Sequence, residues 1–393
     1  MTSSPFKVGL LWHSPNSGNL GVGALTRANL KIARAITDEL QLDAKFLIIG
    51  MRDVDPNYVT AEEADIYCVD GGNLLSPTGC WSVIGAQDCI LDIGAGDSFS
   101  EIYGMKRFFF LWLTKLYARM RGRPLVLSPQ TIGPFTRTPY RQMASLALAG
   151  ADVVVTRDRP SLDALGQLAP STRGVLSVDV AFALDYQDQS DLRGGEKLRV
   201  GVNVSGMLFN EATNGRNRYG LSVDYALLMR QFIAGLAARP DVEVHLLTHV
   251  TASVPSWDDD SPVADLLASE FPGAIRVPNF ASPSAAKSYI SGLDFLVSGR
   301  MHACIAAFSA GTPVVPIAYS RKFSGLFGVL GYPWIVPETG RDTSEALAYL
   351  NACLDRRAEL AQNIRCGMRG VDRYLDAYRD ELRRVFAAAA KRR

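Results

Sequence analysis

The sequence predicts an α/β protein built from two similar halves and a helical tail. Three observations carry this. Short segments that are apolar throughout alternate with helix-length segments, the mark of a parallel sheet covered by helices on both faces. The alternation halts at DYQDQSDLRGGEK (185–197), a polar and charged stretch containing glycine, and then starts again. A chain of 393 residues is also longer than one ordinary domain requires. The expected division is 1–188, 198–345 and a helical tail over 346–393, with the two halves clamping a site in the cleft they form.

In the first half KVGLLWH (7–13), KFLII (45–49), IYCVDGG (66–72), PLVLSP (124–129) and DVVVTR (152–157) read as strands. Each is a short apolar run bounded by turn residues. Helices are expected at 22–40, 101–121, 138–149 and 159–168. The second half repeats the scheme with LRVGVNVS (198–205), a helix at 224–238, VEVHLLTH (242–249), a helix at 262–270, IRVPN (275–279) and a short helix at 284–291. LDFLVSGRMHACIAAFSAGTPVVPIAYSRK (293–322) then reads as strand, helix and strand. Basic, Ala-rich sequence over 343–390 supplies the final helical stretch.

The charges balance, 41 basic against 40 acidic, so no global field points to nucleic acid and any anion must be held by local arrangement. Six cysteines are scattered with no C-x-x-C pair and four histidines accompany them, a pattern of reduced core thiols rather than a zinc site. MTSSPFKVGLLWHSPNSG (1–18) lacks a basic start, and its apolar run is too short for a signal peptide. FFFLWL (108–113) is far short of a membrane span. A cytoplasmic location is expected.

In open α/β sheets, ligands gather beyond the carboxyl ends of the strands. The junctions within 293–322 are therefore the first place to look. Ser298 ends a strand, Gly299 permits a tight turn, and Arg300, Met301 and His302 stand at a helix start, where free amides favour an anion. Arg300 adds a fork suited to carboxylate or phosphate, and His302 can exchange a proton near neutral pH. The next strand delivers Arg321 and Lys322 to the same edge. A helix start with an exposed arginine and a core histidine would give the same pattern, but three ligand-type residues converging at strand ends favour a site. DVVVTRDRPS (152–161) repeats the logic, with Arg157 after a strand and Asp158 or Ser161 as the helix N-cap. A plain Arg157–Asp158 pair is the alternative there.

The loop HSPNSGNLGVGALTRANL (13–30) has neither G-x-G-x-x-G nor G-x-x-x-x-G-K-[ST] spacing. Its Gly18, Asn19 and Gly21 are still candidates to present backbone amides to a phosphate or sugar, with His13 as a base or hydrogen-bonding group. Asp97 and Ser98 in DIGAGDSFSEIYG (92–104) and Gln130 in SPQTIGPF (128–135) are candidate hydroxyl contacts that turn chemistry alone would also explain. KRFFFLWLTKLYARMRGR (106–123) reads as a core helix ending in basic residues, with a surface helix touching anionic lipid as the alternative. His245 and His249 read as structural.

With these pieces placed, the chain resembles the polysaccharide pyruvyl transferase family over most of its length, from GNLGVGAL to about GYPWIV. SPQTIGPF, VTRDRPSLDAL, VDVAF and VSGRMHACIAAFSAGTPVVPIAYSRKFSGLF carry the resemblance, the last with S-G-R-M-H, G-T-P, a Tyr and a Lys in order. It implies a glycosyltransferase-B-like fold of two facing Rossmann-like domains, the first on the acceptor side and contributing Arg157, the second on the donor side. It also implies a transferase that moves pyruvyl from phosphoenolpyruvate (PEP) onto a sugar diol as a cyclic ketal, with no further cofactor. Arg157, Arg300, His302 and Lys322 would handle PEP, His302 as the general acid because nothing else in that set titrates suitably. The acceptor would be a saccharide, lipid-linked or not, and peripheral membrane contact fits the first case. Two departures lie on the acceptor side: Val22 follows Gly21 where an acidic residue is usual, and DGGN (70–73) replaces three glycines. A sugar-nucleotide glycosyltransferase, with His13 as base and Gly311–Pro313 facing the nucleotide, and a non-catalytic PEP or sugar-phosphate binder are the competing readings.

Overall fold

The computed structural model describes residues 4–254 and 256–393. They form two units. Unit 1 comprises the described residues up to Ser17 together with Leu25–Ala183 and Asp372–Arg393; unit 2 comprises Gly18–Ala24 and Leu184–Val371.

Unit 1 holds β1 (Phe6–Leu11), β2 (Ala44–Gly50), β3 (Asp65–Cys68), β4 (Cys89–Asp92), β5 (Leu125–Gln130), β6 (Val153–Thr156) and β7 (Gly174–Leu176). They pair in parallel in the order β3-β2-β1-β4-β5-β6-β7. Unit 2 holds β8 (Leu198–Asn203), β9 (Val242–Leu247), β10 (Ile275–Arg276), β11 (Phe295–Ser298) and β12 (Val314–Pro316), parallel in the order β10-β9-β8-β11-β12. Each central strand is buried along most of its length, as in VVVT of β6 and FLVS of β11, because helices cover both faces and leave no polar side. The order reverses between β1 and β4 in one sheet and between β8 and β11 in the other, the crossover points where such sheets take ligands. Leu11 lies opposite Asp92 and Ser298 opposite Asn203, so paired loops leave each crossover at one level.

Two strands escape the sequence reading. β4 is only CILD before a glycine-rich turn, and β7 only GVL, both too short for a pattern to register. The polar stretch 185–197 is not a loose linker. Arg193 donates from Nε to Ser291 O (2.7 Å), from Nη1 to Gly311 O (3.1 Å) and from Nη2 to Ala310 O and Thr312 Oγ1 (both 2.9 Å), which fastens it to unit 2. The expected tail is likewise divided. It forms the helices Thr343–Asp355 and Arg357–Ala390, and residues from Asp372 onward belong to unit 1. There Phe386 meets Phe6 edge-on at 5.6 Å, and the buried Tyr378 hydroxyl donates to Asn29 Oδ1 (2.7 Å) and lies 2.8 Å from Ser128 Oγ.

The helix Met105–Met120 holds another departure. Lys115, one of the basic residues of KRFFFLWLTKLYARMRGR, is fully buried and sits 2.8 Å from Asp92 at the end of β4, its ammonium 4.3 Å from the Phe99 ring centroid. Burial pushes the Asp92 carboxyl up and the Lys115 ammonium down, and their contact offsets part of both shifts. Lys115→Met is expected to lower stability by about 3–5 kcal/mol, because a buried carboxylate loses its counter-charge. Adding Asp92→Asn should recover much of the loss. Denaturant melts of the two single variants and the double variant give the coupling, and strict additivity would refute a mutual role.

Candidate active site

At the crossover of unit 2, the turn after β11 is built from its own hydrogen bonds. Ser298 Oγ donates to Asn203 Oδ1 on β8 (2.7 Å) and accepts from Arg300 N (2.9 Å). Gly299 is required by close approach, since a Cβ there would come within 2.7 Å of the Tyr225 hydroxyl. Arg300 is the extended N-cap of the helix Met301–Ser309, and the burial of Met301, Ala303 and Cys304 fixes that helix start. His302, half-buried, stands in its first turn.

Arg300 is buried and committed to two acids. Its Nε and Nη2 donate to Asp260 Oδ1 (3.1 and 2.6 Å), Nη1 to Asp258 Oδ1 (2.7 Å) and Nη2 to Asp258 O (2.5 Å). Those four bonds leave one of the five guanidinium N–H groups for anything else. Burial opposes its charge, but Asp260 and Asp258 outweigh that and hold Arg300 protonated more firmly than an ordinary arginine. Asp260 also accepts from Gly206 N (2.8 Å), Asn203 Nδ2 (3.1 Å) and the His249 and Val250 amides (both 3.0 Å). This carboxylate therefore ties the loops after β8, β9 and β11 together.

The segment Gly18–Ala24 completes the site. Leu20 N donates to His249 O (3.1 Å), Thr251 N to Gly18 O (2.8 Å) and Gly21 N to Asn19 Oδ1 (3.0 Å). Gly21 is thereby laid against the His302 ring, and a Cβ at this position would collide with the imidazole. His249 is buried beside it. Burial first, then the charges of His302 and Arg300, push its pKa down to about 3, so it stays neutral near pH 7. Lys322, in the helix Arg321–Val329, places Nζ 5.0 Å from the Tyr319 ring centroid, and Tyr319 meets Tyr219 edge-on at 5.3 Å. Arg321 is exposed.

In unit 1 the candidates separate into two groups. Arg157 is buried after β6, donating from Nη1 to Asp179 Oδ2 (2.5 Å) and from Nε to Thr131 Oγ1 (3.0 Å). Its charge is opposed by burial and supported by Asp179, Asp97 and Asp158, which together raise its pKa. Asp158 is the helix N-cap, accepting from Ser161 N at 2.8 Å, so Arg157's ion-pair partner is Asp179 rather than its neighbour. Asp97 accepts from the Tyr103 hydroxyl (3.0 Å), and Ser98 Oγ accepts from Arg107 (2.7 Å). His13 and Gln130 are interior. His13 has Nδ1 3.0 Å from Leu11 O and Nε2 2.9 Å from Asn29 Nδ2, and burial pushes its pKa down to about 4. Such a ring anchors the first loop and is poorly placed to act as a base. Gln130 Nε2 donates to Asp92 O (2.7 Å), which braces β4 rather than a hydroxyl ligand. Asp70 of the DGGN segment caps the helix Gly71–Leu75.

Unit 2 thus gathers Gly21, His249, Arg300 and His302 at one strand edge, and unit 1 gathers Asp97 and Arg157 at another. Sequence reasoning did not single out Asp179, Asp258 and Asp260, and it read His249 as structural. The DDD run before the helix Ser261–Glu270 looks like a cap, and His249 looks like an ordinary strand-end residue; only the pairing of β8, β9 and β11 brings them to Arg300. VDVAF, which contains Asp179, offered a signal through the resemblance.

Two Rossmann-like units of this strand order define a glycosyltransferase-B-like fold. Solved structures align over nearly the whole chain. Anabaena HepE in complex with UDP and glucose is 13% identical at a TM-score of 0.56, covering 99% of this chain and 100% of its own. MurG from Acinetobacter baumannii is 13% identical at 0.52, covering 95% and 100%. At such identities the likeness is one of fold. The chain itself belongs to the polysaccharide pyruvyl transferase family, whose model matches residues 19–321. The amylovoran biosynthesis protein AmsJ of Erwinia amylovora is 22% identical over 289 residues, 70% of this chain and 68% of that protein.

Proposed function

We propose that the protein transfers the pyruvyl group of PEP onto two hydroxyls of a saccharide, forming a cyclic ketal and releasing inorganic phosphate. The observation that supports this most directly is His302 in the first helical turn at the unit 2 crossover, beside a buried, fixed Arg300. The reaction needs a proton on the methylene carbon of PEP, which leaves cationic character on the adjacent carbon. One acceptor hydroxyl adds there, the carbon–oxygen bond to phosphate breaks, and the second hydroxyl closes the ring. Two hydroxyl protons are lost; one balances the proton given to the methylene, and the other leaves with phosphate.

His302 supplies the first proton in this reading, since its neighbour His249 is held neutral. Arg300 offers its remaining N–H and a fixed positive charge to the carboxylate or phosphate, and Lys322 adds a second positive charge. Arg157 supports the Asp97 turn on the acceptor side. The test is incubation with PEP and a panel of lipid-linked, nucleotide-linked and free saccharides, followed by phosphorus NMR. Acceptor-dependent phosphate release is expected. Cleavage of a nucleotide sugar with PEP untouched would overturn the reading in favour of glycosyl transfer, and PEP binding without turnover across the panel would leave a binding protein.

A further inference from the structure

A helix packed on a core ordinarily shows an apolar face inward and a polar face outward. The helix Met105–Met120 breaks that rule. Phe108, Leu111, Thr114, Lys115 and Ala118 are its buried side. The other side carries Met105, Phe109, Trp112, Leu113, Leu116 and Met120 at helical spacing, with Trp112 and Leu113 also packing against the core of unit 1. Met105 and Met120 are 42% and 67% exposed, and the four residues between them are half-buried. Ile102, 64% exposed, extends the stripe beyond the helix start.

The charges carried by the helix itself are of one sign. Residues 105–123 contain no Asp or Glu. Lys106 and Arg107 are exposed at one end, and Arg119 and Arg121 at the other. Lys115, midway, is turned inward to Asp92 and leaves the stripe itself uncharged. Arg107 lies over Tyr103 (5.0 Å) and Arg121 over Trp81 (5.2 Å), amphipathic pairs of the kind that suit a boundary between apolar and charged media. No helix among the described residues is long and apolar enough to cross a membrane, so such a face would lie along a surface.

We propose that this face docks unit 1 onto an anionic lipid surface, with the apolar stripe entering the acyl boundary and the basic ends meeting the headgroups. Charge favours this occupant over a second copy of the chain, because two identical basic rims would be pressed against each other. The measurement is co-sedimentation of the full chain with phosphatidylcholine vesicles, with and without about 30% phosphatidylglycerol. Binding is expected on the anionic vesicles and should weaken as salt rises from about 0.1 to 0.5 M. Met105→Glu with Met120→Glu, and separately Lys106→Glu with Arg119→Glu, should each weaken binding by about tenfold or more with thermal melting unchanged, since these side chains are exposed. The proposal is overturned if the wild-type chain ignores anionic vesicles, binds neutral ones equally well, or keeps its binding in both variants. A wild-type dimer in light scattering that the methionine variant splits would assign the face to a second copy instead.

Discussion

Replacing His302 by alanine is expected to cut acceptor-dependent phosphate release by about two to four orders of magnitude, the usual worth of a positioned proton donor. PEP should still bind, because the cationic groups stay in place: Arg300 is held by Asp258 and Asp260, and Lys322 lies on another helix. His249 is a poor substitute, because burial, the largest cause of its lowered pKa, remains when His302 is removed. His302→Gln separates proton transfer from hydrogen bonding and should be equally slow. Turnover is read by phosphate release and affinity by calorimetry with PEP. Full activity in the alanine variant would remove His302 from the chemistry.

Asp260→Ala should cost both stability and activity. One carboxylate accepts from Arg300, Gly206, Asn203, His249 and Val250, and its removal strands a buried guanidinium together with buried amides. Losing one partner of a buried pair costs about 3–5 kcal/mol, a large share of a typical domain's stability. Asp258 keeps one face of Arg300 occupied and limits the damage. Asp260→Asn tests the electrostatics separately: it keeps the volume but turns an amide N–H₂ toward donors. Urea denaturation and PEP affinity should both fall in the two variants. Wild-type values for the asparagine variant would show that Asp260 does not organise the site.

Much of the fold was legible because parallel strands buried on both faces announce themselves as continuous apolar runs. β1, β2, β5, β6, β8 and β9 all fall within two residues of the segments read as strands. β4 did not, although it is central, because four residues ending in an aspartate look like the start of a loop. The locations of Arg300 and His302 were legible from strand, glycine and helix start. Their partners were not. Asp260 is 40 residues from Arg300 in sequence and Asp179 is 22 from Arg157, and no periodicity links such pairs. His13 and Lys115 misled in the same way. A polar residue beside an apolar run gives no hint of whether it faces solvent, a ligand or an interior counter-charge, and here both turn inward.

Unit 1 draws its final piece from Asp372–Arg393, separated in the chain from Ala183 by the whole of unit 2's second segment. Synthesis runs from the amino end, so a ribosome finishes residues 184–371 before Tyr378 and Phe386 emerge. Until then Phe6, Asn29 and Ser128 lack the ring and hydroxyl that cover them. The core of unit 1 therefore depends on contacts between residues hundreds of positions apart in the chain, and long-range pairings of that kind close late in folding.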